Sequence, residues 1–126
     1  MMTRRTALPN LLLINGAFNA LGAAVLLCAS GWLSTWLHLG HDVTFLWWLL
    51  AGASLSLALL SFGAARLRNP DSMRLAVWVF ITFHGTSALV SAWAVIHGLT
   101  PWVWINTAVH VIFTGLFVKF RDPSLG

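Results

Sequence analysis

Apolar side chains in this 126-residue chain gather into four long runs: about Leu8 to Ala29, Val43 to Ala65, Met73 to Ile96 and Pro101 to Phe120. Wound as helix at about 1.5 Å per residue, each run crosses a hydrocarbon core of about 30 Å. The breaks carry helix punctuation. Ser30-Gly31 closes the first run, and Gly40-His41-Asp42 precedes the second with Asp42 as its cap. Asn69-Pro70-Asp71 precedes the third, and Gly98 to Pro101 separates the last two, with Thr100 capping and Pro101 at the first helical position. Connections this short predict antiparallel neighbours. The expected fold is all-α, a single integral-membrane antiparallel four-helix bundle over residues 1–126. From Gly31 to Leu39, the positions of Trp32, Leu33, Trp36 and Leu37 add a short helix lying along the membrane surface.

Composition narrows the class. With 59% hydrophobic and 8% charged residues and a mean hydropathy of +0.84, the chain lies far from soluble domains, in which about 25% of residues are charged. The first run is longer than the 7 to 15 residue apolar stretch usual in signal peptides, and neither Ala23 nor Ala29 closes an A-x-A site, so it reads as a retained span. Lone Cys28 excludes a disulfide scaffold and the paired-thiol chemistry of quinone-linked disulfide-forming enzymes or vitamin K epoxide reductases.

Charge then sets orientation. All seven basic residues, Arg4, Arg5, Arg66, Arg68, Arg74, Lys119 and Arg121, flank the runs on one side. The positive-inside rule therefore predicts a multi-pass protein of the bacterial inner membrane with both termini cytoplasmic. The same residues account for the pI of 11.3, so it signals topology and no nucleic-acid partner. Of the eight tryptophans, all but Trp78 fall toward the opposite face, where amphipathic rings anchor at the lipid boundary.

Polar groups within the runs are the candidate chemistry, because hydrocarbon offers them no partners. No Asp, Glu, Lys or Arg lies in the interior of a run, Arg74 and Lys119 standing at run ends. The chain matches small multidrug resistance transporters in size and span count, but it contains no Glu, and those transporters depend on one embedded in the first helix. What remains is neutral. Asn15 and Asn19 share a face continued by Gly22, Asn106, His110 and Thr114 form an i, i+4, i+8 ladder, and His84 shares a face with Ser87 and Ser91. Asn15, Asn19, His84, Asn106 and His110 are the candidate ligand-binding residues. They act as hydrogen-bonding glue between helices or line a pocket for a lipophilic head group, a quinone or haem.

Counted from the shared outer turn, His84 lies about 20 Å in and His110 about 13.5 Å in, an offset of roughly 6 Å that disfavours shared haem ligation. A second imidazole group, His38, His41 and Asp42 with His97, is a candidate Zn or Cu site outside the runs. Small residues at Gly16, Ala20, Gly52, Ser56, Gly63, Gly85, Ala88 and Ala92 predict close helix approach. Met73, Phe80, Phe83, Phe113 and Phe117 read as ordinary core or lipid-facing filler.

The segments Asn15-Gly16-Ala17-Phe18-Asn19-Ala20, Trp48-Leu49-Leu50-Ala51-Gly52-Ala53 and Arg66-Leu67-Arg68 resemble the DoxX-like and BphX-like group of small bacterial four-helix membrane proteins. The resemblance implies an accessory subunit, in some members serving a membrane oxidoreductase, and carries over no catalytic residue. The expectation is a non-enzymatic accessory or lipophilic-ligand-binding subunit, with the bilayer and either partner subunits or further copies of itself as neighbours. Two alternatives use the same polar stripe: an oligomeric permeation module, and a haem- or quinone-binding redox subunit acting through His84 and His110.

Overall fold

A computed structural model describes residues 4–37, 43–98 and 103–121, apart from the side chains of 4–6, 44 and 45. Among these residues the secondary structure is entirely helical: α1 (Arg4–Cys28), α2 (Ser30–Trp36), α3 (Thr44–Ala64), α4 (Pro70–Ile96) and α5 (Val103–Lys119). Three of them, α1, α3 and α4, contain stretches long and apolar enough to cross a membrane. α5 is apolar but shorter, at 17 residues.

Local chemistry explains the boundaries. α1 starts at Arg4, ahead of the apolar run, and takes in Pro9 as its sixth residue, where the ring removes the N–H that would bond the Arg5 carbonyl. Ala29, at φ −120°, bends the chain so that Ser30 and Gly31 open α2 instead of simply ending α1. α4 begins at Pro70, earlier than the apolar run suggests, because the Asn69 side chain accepts from the Asp71 and Ser72 N–H groups and Pro70 takes the first helical position. α3, by contrast, is capped at Val43 without a side-chain hydrogen bond, so Asp42 does not hold the cap position. Asp42, Thr100 and Pro101 lie outside the described residues.

Each long helix buries one stripe. Leu8, Leu12, Asn15, Asn19 and Ala23 form it on α1, and Ala51, Ala58, Ser61 and Ala64 on α3. On α4 it runs through Val77, Phe80, His84, Ala88 and Ser91, and on α5 through Thr107, His110, Phe113 and Phe117. The outer faces are also apolar, with Leu89 at 75% and Ile96 at 70% exposure. A polar layer inside an apolar exterior inverts the soluble pattern and is compatible with a membrane protein.

α1 packs extensively on α3, and α4 on α5. The two pairs touch more thinly, α3 against α4 and α1 against α5, so α1 and α4 face each other across the centre. Ser91 meets Asn106, His84 meets His110 and Phe80 meets Phe117, so α5 runs back along α4 in a register that folds about Gly98, a glycine at φ +99°. At the end bearing the basic residues, Leu8, Leu11, Leu12, Ala64, Val77, Phe80 and Phe117 join in one apolar cluster.

Close approach through small residues is local. At Gly16 an added Cβ would lie 2.7 Å from the Phe62 ring, whereas Gly52, Gly63 and Gly85 meet nothing within 4 Å. The expected glycine contacts on α3 and α4 are therefore absent, and buried alanines line those helices instead. The surface helix is tied down by Trp47, whose indole Nε1 donates to Ser34 Oγ at 2.7 Å, while Trp32 and Trp36 stack 5.7 Å apart on its face.

Candidate functional site

Above the apolar cluster the four buried stripes bring Asn15, Asn19, Ser61, His84 and His110 into one connected layer. The chain of hydrogen bonds begins at a backbone carbonyl, so its polarity can be followed. Ser61 Oγ donates to Leu12 O at 2.7 Å, and Asn15 Nδ2 donates to Ser61 Oγ at 3.1 Å. Asn19 Nδ2 donates to Asn15 O at 2.9 Å and reaches Asn15 Oδ1 at 3.2 Å. Asn15 Oδ1 lies 2.8 Å from His84 Nε2, and His84 Nδ1 lies 2.7 Å from His110 Nδ1. Asn15–His84 crosses the centre from α1 to α4. It is a side-chain hydrogen bond that joins the α1/α3 pair to the α4/α5 pair.

Aromatic rings fix the imidazoles. His84 stacks against Phe113 at 4.9 Å and Phe117 at 5.9 Å, and its neighbour Phe83 stands edge-on at 5.1 Å. His110 has Phe83 and Phe18 edge-on at 5.7 and 6.4 Å. Phe83, Phe113 and Phe117, which sequence reading treats as filler, thus form a sleeve around the pair together with Phe18. Asn15, Ser61 and His84 are wholly buried, and no buried side-chain nitrogen or oxygen among the described residues lacks a partner. Every fully buried polar side-chain atom of the layer is hydrogen-bonded, as an apolar interior requires.

Three of the five candidate ligand-binding residues border a cavity of about 350 Å³ beyond this layer, between α1 and α5. α1 gives the wall from Phe18 to Leu26, with Asn19 and Gly22 facing the space, and α3, α4 and α5 contribute Ser54, Phe83, Asn106 and His110. The volume lies at the lower end of small-molecule sites, which span roughly 300 to 1,000 Å³. Asn106 stands apart from the histidine pair, donating to Ser91 Oγ at 2.8 Å, and Thr114 only bonds back to His110 O. Ser61, the member that sequence reading omits, anchors the network. Its sequence signal is a hydroxyl deep in an apolar run, shared with Ser54 and Ser56.

The histidines do not fit one haem as placed. Imidazole nitrogens on opposite sides of one metal stand about 4 Å apart, against 2.7 Å here with the rings in direct contact. The roughly 6 Å offset expected from counting also disappears, because the pairing register folds about Gly98. Of the second imidazole group, His38, His41 and Asp42 lie outside the described residues. His97 donates through Nδ1 to Trp93 O at 2.9 Å and stacks on the Trp93 ring. Among the described residues no group of three or more His, Cys, Asp or Glu could hold a metal ion.

Fold and site together define an α-helical protein, compatible with a membrane, whose interior holds a hydrogen-bonded polar layer beneath a cavity. No protein-family model, curated protein or solved structure matches the chain.

Proposed function

We propose that this protein is a non-enzymatic, membrane-embedded subunit that binds a lipophilic molecule in the cavity between α1 and α5. In this reading the four long helices form an antiparallel bundle in the bacterial inner membrane, both termini are cytoplasmic, and the subunit serves a larger complex or an assembly of its own copies, as the DoxX-like resemblance implies. One observation carries it: the cavity has apolar walls and ends on two buried polar side chains, Asn19 and His110, the arrangement that holds a lipophile and orients its head group. The basic residues at the cluster end support the orientation. The apolar cluster around Phe80 and Phe117 favours holding a molecule over passing one through.

The test is gentle extraction of the full chain and mass spectrometry of what copurifies, compared with Gly22→Leu. Gly22 lines the cavity and an added Cβ there meets nothing within 4 Å, so a larger side chain enters the cavity space. A lipophile present in the wild type and lost from the variant is the expected result. Identical copurifying lipids in both would end the proposal.

A further inference from the structure

Resting on the cavity reading above, we infer that the cavity selects a lipophile that donates a hydrogen bond, a phenol or other hydroxyl-bearing molecule, and discriminates against carbonyl compounds such as quinones. The inference comes from the direction of the hydrogen-bond chain. Ser61 spends its proton on Leu12 O, so toward Asn15 it can only accept, and Asn15 must present Nδ2 there. Asn15 Oδ1 therefore faces Asn19 and His84 as an acceptor. His84 must meet it with Nε2–H. A neutral imidazole carries one N–H, so His84 Nδ1 is bare and accepts a hydrogen bond from His110 Nδ1–H across 2.7 Å. His110 is left with a bare Nε2.

Asn19 reaches the same outcome separately. Its Nδ2 is committed to the Asn15 backbone carbonyl, a group that can only accept, so Oδ1 is its free atom. Neither His110 Nε2 nor Asn19 Oδ1 has a hydrogen-bond partner among the described residues. Both residues are more than nine-tenths buried and line the cavity, and neither atom is sealed away. At Asn19 and His110 the cavity thus offers two acceptors from side chains whose donors are already used, while Ser54 and Asn106, the other polar residues lining it, carry O–H or N–H groups as well as acceptors. A hydroxyl satisfies the Asn19 and His110 acceptors, whereas a carbonyl or ether oxygen leaves them unpaired, the case in which binding sites discriminate most strongly.

The experiment titrates the full chain in lipid nanodiscs with 1-naphthol, 1-methoxynaphthalene and 1,4-naphthoquinone, reading binding by calorimetry against empty nanodiscs. The expected result is at least about tenfold tighter binding of 1-naphthol than of either analogue, with all protein-dependent binding lost in Gly22→Leu. Equal affinities that Gly22→Leu abolishes would overturn the donor selectivity and leave the cavity reading standing. Binding untouched by Gly22→Leu, or no protein-dependent binding, would overturn the cavity reading and the selectivity with it. Preference for the quinone would overturn the deduced proton arrangement alone.

Discussion

His84 and His110 meet directly, Nδ1 to Nδ1 at 2.7 Å, although 26 residues separate them in the chain. Two imidazoles at this distance share one proton, so each ring's tautomer dictates the other's.

That coupling is measurable. In ¹⁵N-histidine-labelled protein, His84 is expected as the Nε2–H tautomer and His110 as the Nδ1–H tautomer, with a scalar coupling across the shared hydrogen bond. Both rings in the same tautomer would contradict the hydrogen-bond direction traced from Leu12 O.

Removing the hub should cost far more than removing a peripheral imidazole. His84→Ala leaves a cavity and strips partners from Asn15 and His110, a loss of about 3 to 5 kcal/mol. His97→Ala, at the exposed end of α4, should cost within about 1 kcal/mol. Thermal unfolding in detergent would rank the two variants, and comparable drops would show that the central layer is not the stabilising element.

The two glycines of α1 should respond oppositely. Gly16→Val drives a side chain into the Phe62 ring and should destabilise by about 1 to 3 kcal/mol. Gly22→Ala enters open space and gains helix propensity, a stabilisation of up to about 1 kcal/mol. The sign of each change in Tm checks the packing of α1, on α3 at Gly16 and beside the cavity at Gly22.

The surface helix gives a local test. Trp47→Phe removes the indole donor to Ser34 Oγ and should weaken the hold of α2 on α3 by about 0.5 to 1.5 kcal/mol. Faster amide hydrogen exchange confined to Ser30–Trp36 is the expected signature, and uniform acceleration along α1 and α3 would assign Trp47 a global role instead.

Much of this organisation is legible in the amino-acid order. Asn15, Asn19, His84 and His110 stand out because a polar group in an apolar run has few partners, and their spacing places them on inward faces. The meeting of two particular rings depends on inter-helix register, which a turn residue such as Gly98 sets and hydropathy does not encode. Ser61 and the phenylalanines escape notice for a related reason. Serine hydroxyls in helices usually bond their own backbone, as Ser56 does to Gly52 O, and phenylalanine suits lipid and core equally. Glycines misled in the other direction, since small size permits close approach without requiring it, and at Gly52, Gly63 and Gly85 no neighbour takes the space.

The thin contact between the α1/α3 and α4/α5 pairs has a mechanical consequence. Each pair is built as a unit, and the two share their dense apolar cluster at one end, whereas beyond the Phe18–Phe113 and Phe18–His110 ring contacts a cavity separates α1 from α5. The molecule is jointed like a clothes-peg, with its spring at Leu12, Phe80 and Phe117 and its jaws at Gly22 and Asn106. Widening the cavity therefore unpicks neither pair, because it works against the thin contact between them and not the dense contacts within them.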